Sequence, residues 1–232
     1  MNHPFDGRAF VLGDEPDRAP LAAQARLIGA RLRAGGKLND FEFDELYPLS
    51  IRIMSTVFWT PIRVALRATQ LLVDTPGCRV LDVGSGSGKF CQIGGLTSEG
   101  VFSGVERRDT LVECAIEVAS LLDVPRVTFT RGHFDMLNPE AYDAFYFFNP
   151  FEENEYARKN QFDRRVPFRK ESFGDDVQKA ERFLAEARPG ARVVTYNGFG
   201  GKLPPSYDLV TREDVGCSLE LWVKDRRRTR AA

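Results

Sequence analysis

A chain of 232 residues with 43% hydrophobic and 28% charged side chains has an ordinary globular composition, long enough for one well-buried α/β domain with an extension. Its formal net charge of −1 argues against a broad nucleic-acid footprint, and no apolar run approaches the roughly 18 residues that span a bilayer. Two histidines leave little material for a metal site, and the scattered Cys78, Cys91, Cys114 and Cys217, with no CxxC pair, read as free thiols in a reducing cytoplasm.

The start, Met1-Asn2-His3-Pro4-Phe5-Asp6, lacks a basic region followed by an apolar core, so no secretory signal is expected, and residues 1–17 read as a loose arm. From Leu21, apolar residues recur at Ala25, Ile28 and Leu32, a helical stripe that ends at Gly35-Gly36. Residues 41–59 are dense in large side chains and broken by Pro48, which predicts a turn and short helices that pack on, or lid, the main domain. Thr60-Pro61 has the form of a helix start, with Thr as cap and Pro in the first position, and the helix runs to Pro76-Gly77.

Val80, Leu81 and Val83 then supply the apolar run of a strand covered on both faces, leading into Gly84-Ser85-Gly86-Ser87-Gly88-Lys89 and a helix. Glycines let that turn close sharply and approach a ligand, and the free N–H groups of the helix favour an anionic group there. A second strand ends at Glu106, and Asp109 is expected to cap the next helix. A third spans Arg126 to Arg131, followed by His133-Phe134-Asp135, and a fourth runs from Tyr142 to Phe148, ending at Asn149-Pro150-Phe151. Residues 152–173 are charged and unpatterned, long for a connection and so expected to be functional. A helix starting at Asp175 or Asp176, a strand from Ala191 to Tyr196, and a hairpin of Tyr207–Val210 with Cys217–Val223 complete the chain. The basic clusters, Arg164-Arg165 with Arg169-Lys170 and Lys224 through Arg230, are local; the second reads as a solvated tail.

Strands alternating with helices predict a doubly wound, mainly parallel, seven-stranded sheet of Rossmann-like type with a helical N-terminal extension. The boundaries expected are 1–57 for the extension or lid, 58–225 for the main domain and 226–232 for the basic tail. In such sheets ligands bind beyond the carboxyl ends of the strands. The glycine turn, Glu106, His133-Phe134-Asp135 and Asn149-Pro150-Phe151 all fall on that edge, and their convergence carries more than any one of them.

A dinucleotide fingerprint needs Gly-x-Gly-x-x-Gly, but Lys89 stands at the sixth position and the glycines run Gly84-x-Gly86-x-Gly88. These residues resemble the class I S-adenosylmethionine-dependent methyltransferases, whose first motif is an acidic residue followed by Gly-x-Gly-x-Gly; the resemblance spans roughly residues 56–223. It implies that Gly84, Gly86, Gly88 and neighbouring backbone contact the methionine part of S-adenosyl-L-methionine, with Asp82 orienting its ammonium group. By the same resemblance Glu106 accepts from the two ribose hydroxyls. His133 and Phe134 stand where the family usually has an acidic residue and a neighbour flanking the adenine, so either His133 or Asp135 faces the adenine amine, and Phe134 either stacks on the ring or is core.

Asn149-Pro150-Phe151 resembles the Asn-Pro-Pro-Tyr/Phe motif of methyltransferases that modify planar nitrogens, with one Pro missing. The likeness implies catalytic roles for Asn149, Pro150 and Phe151: the Asn oxygen and the following carbonyl hold the target N–H groups while the aromatic stacks on the group that carries them. Asn149 also counts among the cofactor-binding residues. A second, remote resemblance, to the non-SET histone lysine methyltransferase type, rests on Phe58-Trp59-Thr60-Pro61, Gly104-Val105-Glu106 and Arg131-Gly132-His133-Phe134. It implies that Trp59 and Thr60 cover the methionine end and that Phe151 lines an amine channel. The expectation is thus a cytoplasmic methyltransferase acting on nitrogen, on a protein or small-molecule acceptor rather than nucleic acid, with neither membrane nor metal. The alternatives are a cofactor-binding interaction module without turnover and an NAD-dependent oxidoreductase.

Overall fold

The computed structural model describes residues 18–53, 55–151 and 170–226. The expected N-terminal arm, the segment bearing Phe162, Arg164-Arg165 and Phe168, and the tail beyond Arg226 lie outside the described residues. Five strands, β1 (Arg79–Val83), β2 (Val101–Glu106), β3 (Val127–Arg131), β4 (Ala144–Phe148) and β5 (Arg192–Tyr196), run parallel, and β6 (Tyr207–Asp214) and β7 (Ser218–Lys224) close the sheet as an antiparallel hairpin. The order is β3-β2-β1-β4-β5-β7-β6, so the chain reverses direction across the sheet between β1 and β4. Val83 pairs with Val105 on one side and Phe147 on the other, so Glu106 and Phe148, each one residue further on, flank the end of β1.

The central strands are apolar along their length because helices cover both faces. Val80, Leu81, Phe145 and Phe147 are all fully buried. On one face lie α1 (Arg18–Arg33), α5 (Ile62–Leu72), α6 (Lys89–Thr97) and α7 (Asp109–Leu121), and on the other α8 (Lys170–Glu186) packs Val177, Ala180, Phe183 and Leu184 against Leu81 and Phe145. Gly94 and Gly95, which weaken α6 as an isolated helix, are there for packing: a Cβ on Gly94 would come within 2.4 Å of the Phe102 ring and one on Gly95 within 2.5 Å of Val127.

The N-terminal helices share the main core. Ala25, Ile28 and Leu32 of α1 join Val80 and Phe102, and Arg33 donates to the carbonyls of Leu122 (3.1 Å) and Asp123 (2.6 Å) at the end of α7. Residues 40–58 form α2 (Asp40–Asp44), α3 (Leu49–Arg52) and α4 (Ser55–Phe58), as the dense aromatic stretch broken by Pro48 implies.

Four local expectations are corrected. Thr60 does not cap α5: its hydroxyl pairs with the Tyr146 hydroxyl at 2.9 Å, and the Ile62 N–H is satisfied instead by Asp40 Oδ1 at 2.8 Å. Asp109 is the first residue of α7 and Arg108 its cap position, with no side-chain cap bond. α8 begins at Lys170, not at Asp175 or Asp176. β6 runs on to Asp214, because the pairing with β7 continues past an irregularity between Leu209 and Thr211.

Gly84, Gly86 and Gly88 all have positive φ, of 73°, 55° and 81°. Their surroundings differ: a Cβ on Gly88 would meet the Phe129 ring at 2.4 Å and Ala115 at 2.9 Å, whereas one on Gly86 would meet nothing within 4 Å. Gly88→Ala is therefore expected to cost roughly 3 kcal/mol, from overpacking added to the left-handed backbone, and Gly86→Ala only about 1 kcal/mol. Urea denaturation of the two variants checks the difference; equal losses would mean that backbone strain alone makes the turn need glycine.

Candidate functional site

A cleft lies at the carboxyl ends of β1, β2 and β4, with about 900 Å³ of empty space when its open mouth is included. Gly84, Gly86, Glu106, His133, Phe134, Asn149, Pro150 and Phe151 border it, with Trp59 along one side. A smaller adjoining pocket is bordered by Asp82, Trp59, Thr60, Ser85, Lys89 and Tyr146. Gly88 borders neither space; its place is beneath the turn, against Phe129. The sheet order brings together the other cofactor and catalytic candidates from segments far apart in the chain, except Asp135, which borders neither space.

The turn after β1 is tied to β2. The N–H groups of Gly84 and Ser85 both donate to the Val105 carbonyl at 3.0 Å, and the Gly86 N–H donates to Glu106 Oε2 at 3.1 Å. On the other side a Cβ on Gly84 would lie 2.7 Å from Pro150 Cβ, so this glycine is what lets the end of β4 come close. There Asn149 turns with φ of 39° and donates its N–H to the Gly198 carbonyl at 3.0 Å. Phe151 is 5% exposed and its ring centre lies 5.6 Å from that of Phe134. Phe134 also meets Phe183 edge-on at 5.5 Å, so it is core and cleft wall at once.

Three charge clusters, each with at least one buried member, define the electrostatics. Glu106 Oε1 accepts from the N–H groups of Arg107 (2.8 Å) and Arg108 (3.0 Å) and from Arg108 Nε (2.9 Å), while Oε2 accepts from Arg108 Nη2 at 3.2 Å. Burial pushes this carboxyl up, but the Arg108 charge and these donors outweigh it and hold it below the usual range. His133 is held on both ring nitrogens, Nδ1 by Asp135 Oδ1 (2.7 Å) and Nε2 by Asp176 Oδ1 (3.1 Å). Asp176 comes from α8 and borders the cleft, whereas Asp135 does not border it. Its signature in the sequence was only that of a helix start, and Arg108 had no local signature at all.

The third cluster explains Lys89. Its ammonium, 4% exposed, donates to Asp40 Oδ1 (2.7 Å) and Asp44 Oδ1 (2.6 Å) of α2 and lies 5.8 Å from the Trp59 ring centre. Trp59 is further held edge-on by Tyr47 at 4.5 Å, whose hydroxyl donates to Gln92 Oε1 at 2.5 Å. Lys89 therefore pins the N-terminal helices over the smaller pocket. In that pocket Asp82 is 4% exposed, accepts only a weak 3.5 Å bond from the Cys91 thiol, and pairs with no basic side chain among the described residues. Burial pushes its carboxyl up to about 7.

No protein-family model and no curated protein matches this sequence. Solved structures do match its fold. TrmN from Thermus thermophilus is 22% identical with a TM-score of 0.54 over 76% of this chain and 53% of that one, so this chain spans about half the length of that protein. An RNA methyltransferase from Salinibacter ruber, solved with S-adenosyl-L-homocysteine, is 16% identical with a TM-score of 0.53, covering 74% of this chain and 97% of that one. Magnesium protoporphyrin IX methyltransferase (ChlM) from Synechocystis PCC 6803, with bound SAM, is 12% identical with a TM-score of 0.53, covering 92% and 99%. The chain has the Rossmann-like fold of these methyltransferases. Among the described residues no helix is long and apolar enough to cross a membrane.

Lys89→Met would leave Asp44, now 7% exposed, without its cation. The expected loss is roughly 3–5 kcal/mol at neutral pH. Burial already raises the Asp44 carboxyl, and removing Lys89 raises it further, so protonation relieves the defect. The loss should therefore shrink as pH falls toward 5, read by urea denaturation across that range; a loss independent of pH would assign it to packing instead.

Proposed function

We propose that the chain is an S-adenosylmethionine-dependent methyltransferase acting on a nitrogen acceptor, with Asp82, Gly84, Gly86 and Glu106 as the core of the cofactor site. One observation carries the reading: a buried carboxylate without a basic partner among the described residues, Asp82, and a second, Glu106, border two adjoining spaces that share Gly84, Gly86 and Trp59 as walls. The residues fit the group. An ammonium would give Asp82 a cation, and the Glu106 carboxylate at the edge of the adjoining space would accept from ribose hydroxyls. When bound, the cofactor supplies a sulfonium-activated methyl group, already a strong donor, so the protein's work is positioning.

The roles proposed for the other residues follow from their places. Trp59 and Thr60 wall the methionine end. Asn149 and the backbone after it would orient the acceptor N–H groups, and Phe151 offers an aromatic face beside them. Thr60, Trp59 and Phe151 bordering these spaces also support the likeness to the non-SET lysine methyltransferase type, in which an amine loses its proton before attack; an apolar channel favours that loss. A protein or small-molecule acceptor and a cytoplasmic setting remain part of the proposal. A nicotinamide enzyme is disfavoured because Lys89 occupies the position at which that fingerprint needs a small residue, and here the side chain is committed to Asp40 and Asp44.

Calorimetric titration with S-adenosyl-L-homocysteine and with NAD tests the core of this reading: saturable binding of the first is expected, and binding of NAD alone overturns it. Glu106→Ala should weaken the first by roughly 1–3 kcal/mol, whereas Asn149→Ala should spare binding and lower methyl transfer. Unchanged affinity in the first variant, or unchanged turnover in the second, removes that residue from its role.

The pH dependence has a definite sign. The Asp82 carboxyl titrates near 7, so below that pH it is neutral and cannot hold an ammonium. Affinity for S-adenosyl-L-homocysteine should fall about tenfold from about pH 8 to about pH 6, and Asp82→Asn should flatten the profile. A flat profile in the unmodified protein would separate Asp82 from the ammonium.

A further inference from the structure

Regular pairing of β4 with β5 stops at Phe148 and Tyr196, and beyond it the Asn149 N–H donates to the Gly198 carbonyl at 3.0 Å. Backbone on both sides of this contact is left-handed: φ is 39° at Asn149, 58° at Asn197 and 71° at Gly198. Asparagine tolerates that region better than most residues, and glycine occupies it freely. At Gly198 the need for glycine is conformational rather than steric, since a Cβ there would meet nothing nearer than the Gly200 nitrogen at 3.9 Å. A side chain has room at its root; what it disfavours is the backbone angle.

The loop that presents this carbonyl is itself anchored. The Asn197 N–H donates to the carbonyl of Ser218 at the start of β7 (2.9 Å), and the Lys202 N–H donates to Glu181 Oε1 of α8 (2.8 Å). Between them Phe199 is 1% exposed, its ring centre 5.3 Å from that of Phe147 in β4. None of residues 197–202 borders the cleft, so their reach into it runs through Asn149. With its N–H direction held, the φ of 39° sets where the Asn149 side chain and the following carbonyl stand. Return to an ordinary negative φ is a rotation of roughly 100°, enough to carry both away from one acceptor position.

We infer that Gly198 is a positioning residue for methyl transfer: its carbonyl holds Asn149 in the left-handed conformation from which that residue orients the acceptor. The inference rests on the acceptor role proposed above for Asn149, and it extends the machinery to a strand end outside the cleft. It also divides the carboxyl edge by task. The end of β5 bears on the acceptor and leaves the cofactor's contacts at β1 and β2 untouched.

The test compares Gly198→Val, which disfavours positive φ, with Gly198→Asn, which tolerates it at similar bulk. Gly77→Val is the control: Gly77 has a φ of 77° and open space around its Cβ, but it precedes β1, at the opposite end of the sheet. The readouts are amide hydrogen exchange at Asn149 in the S-adenosyl-L-homocysteine complex, and transfer of tritiated methyl from S-adenosyl-L-methionine to an extract of the source cells. Gly198→Val should speed the exchange and lower the maximal transfer rate, each about tenfold, with the cofactor KM changed by less than about twofold. Gly198→Asn should restore both, and Gly77→Val should lower stability without moving either. If Gly198→Val does not fold, Gly198→Ala carries the same strain with a single methyl and should show the same pattern. Normal transfer by a folded Gly198 variant whose Asn149 amide exchanges fast overturns the inference, and so does unchanged exchange in Gly198→Val. Asn149→Gly keeps the turn and deletes the amide: undiminished transfer there overturns the acceptor role of Asn149, whichever way Gly198 behaves. Absence of transfer by the unmodified protein overturns the methyltransferase reading itself.

Discussion

Three backbones approach each other at the turn after β1 more closely than side chains would allow. A Cβ on Gly84 would lie 2.7 Å from Pro150, one on Gly88 2.4 Å from Phe129, and one on Gly104 2.6 Å from both Phe129 and Ser85 Oγ. The rest of the carboxyl edge follows from this closeness. Because the turn can lie against β2, its N–H groups reach the Val105 carbonyl and Glu106. Because it can lie against the end of β4, Asn149 and Phe151 stand across the same cleft. The glycines thus set distances between elements as well as bending the chain, and at Gly84 and Gly88 the positive φ excludes most other residues independently.

Lys89 carries this arrangement into the N-terminal helices. Its partners are 49 and 45 residues earlier in the chain, and one of them, Asp40, also satisfies the first N–H of α5. Burying such a pair yields little net stability over apolar packing, since desolvation offsets most of the attraction. Its contribution is registry: Asp40 and Asp44 can meet one ammonium only if α2 sits at one height over α6. The aromatic contacts among Phe43, Tyr47 and Trp59 then supply the apolar burial that makes this height stable.

The strands were legible because burial on both faces writes itself into the sequence as nearly continuous apolar runs, such as Val80-Leu81 with Val83 and Ala144–Phe148. The edge on which the site lies followed from topology alone. What could not be read were choices made by partners distant in sequence. Thr60-Pro61 obeys the local rule for a helix start, yet Tyr146 takes the hydroxyl and Asp40 takes the N–H. Lys89 could be read only as the absence of a glycine, since nothing near it announces two aspartates from another helix. Asp176 looked like the first turn of a helix, and its bond to His133 spans 43 residues. Local chemistry names the candidate residues; the tertiary partners decide what each one is free to do.

Those partners also bear on how a ligand would be held. The polar groups along the cleft are already engaged: Glu106 with Arg108 and three backbone N–H groups, His133 between two aspartates, and Lys89 between two more. A ribose or purine entering such a site exchanges hydrogen bonds instead of adding them, and an exchange of comparable bonds returns only about 1 kcal/mol each. Affinity must then come mainly from the apolar walls, Val83, Val105, Leu111 and Phe134, which bury a flat ring without any loss of pairing. The charged clusters act on selectivity instead. A ligand that cannot reproduce the bonds it displaces leaves a buried charge unpaired, and that cost exceeds what any correct contact gains. Asp82 differs from these: among the described residues its buried carboxyl has only the Cys91 thiol as a hydrogen-bond partner, so a bound cation there would add an interaction outright.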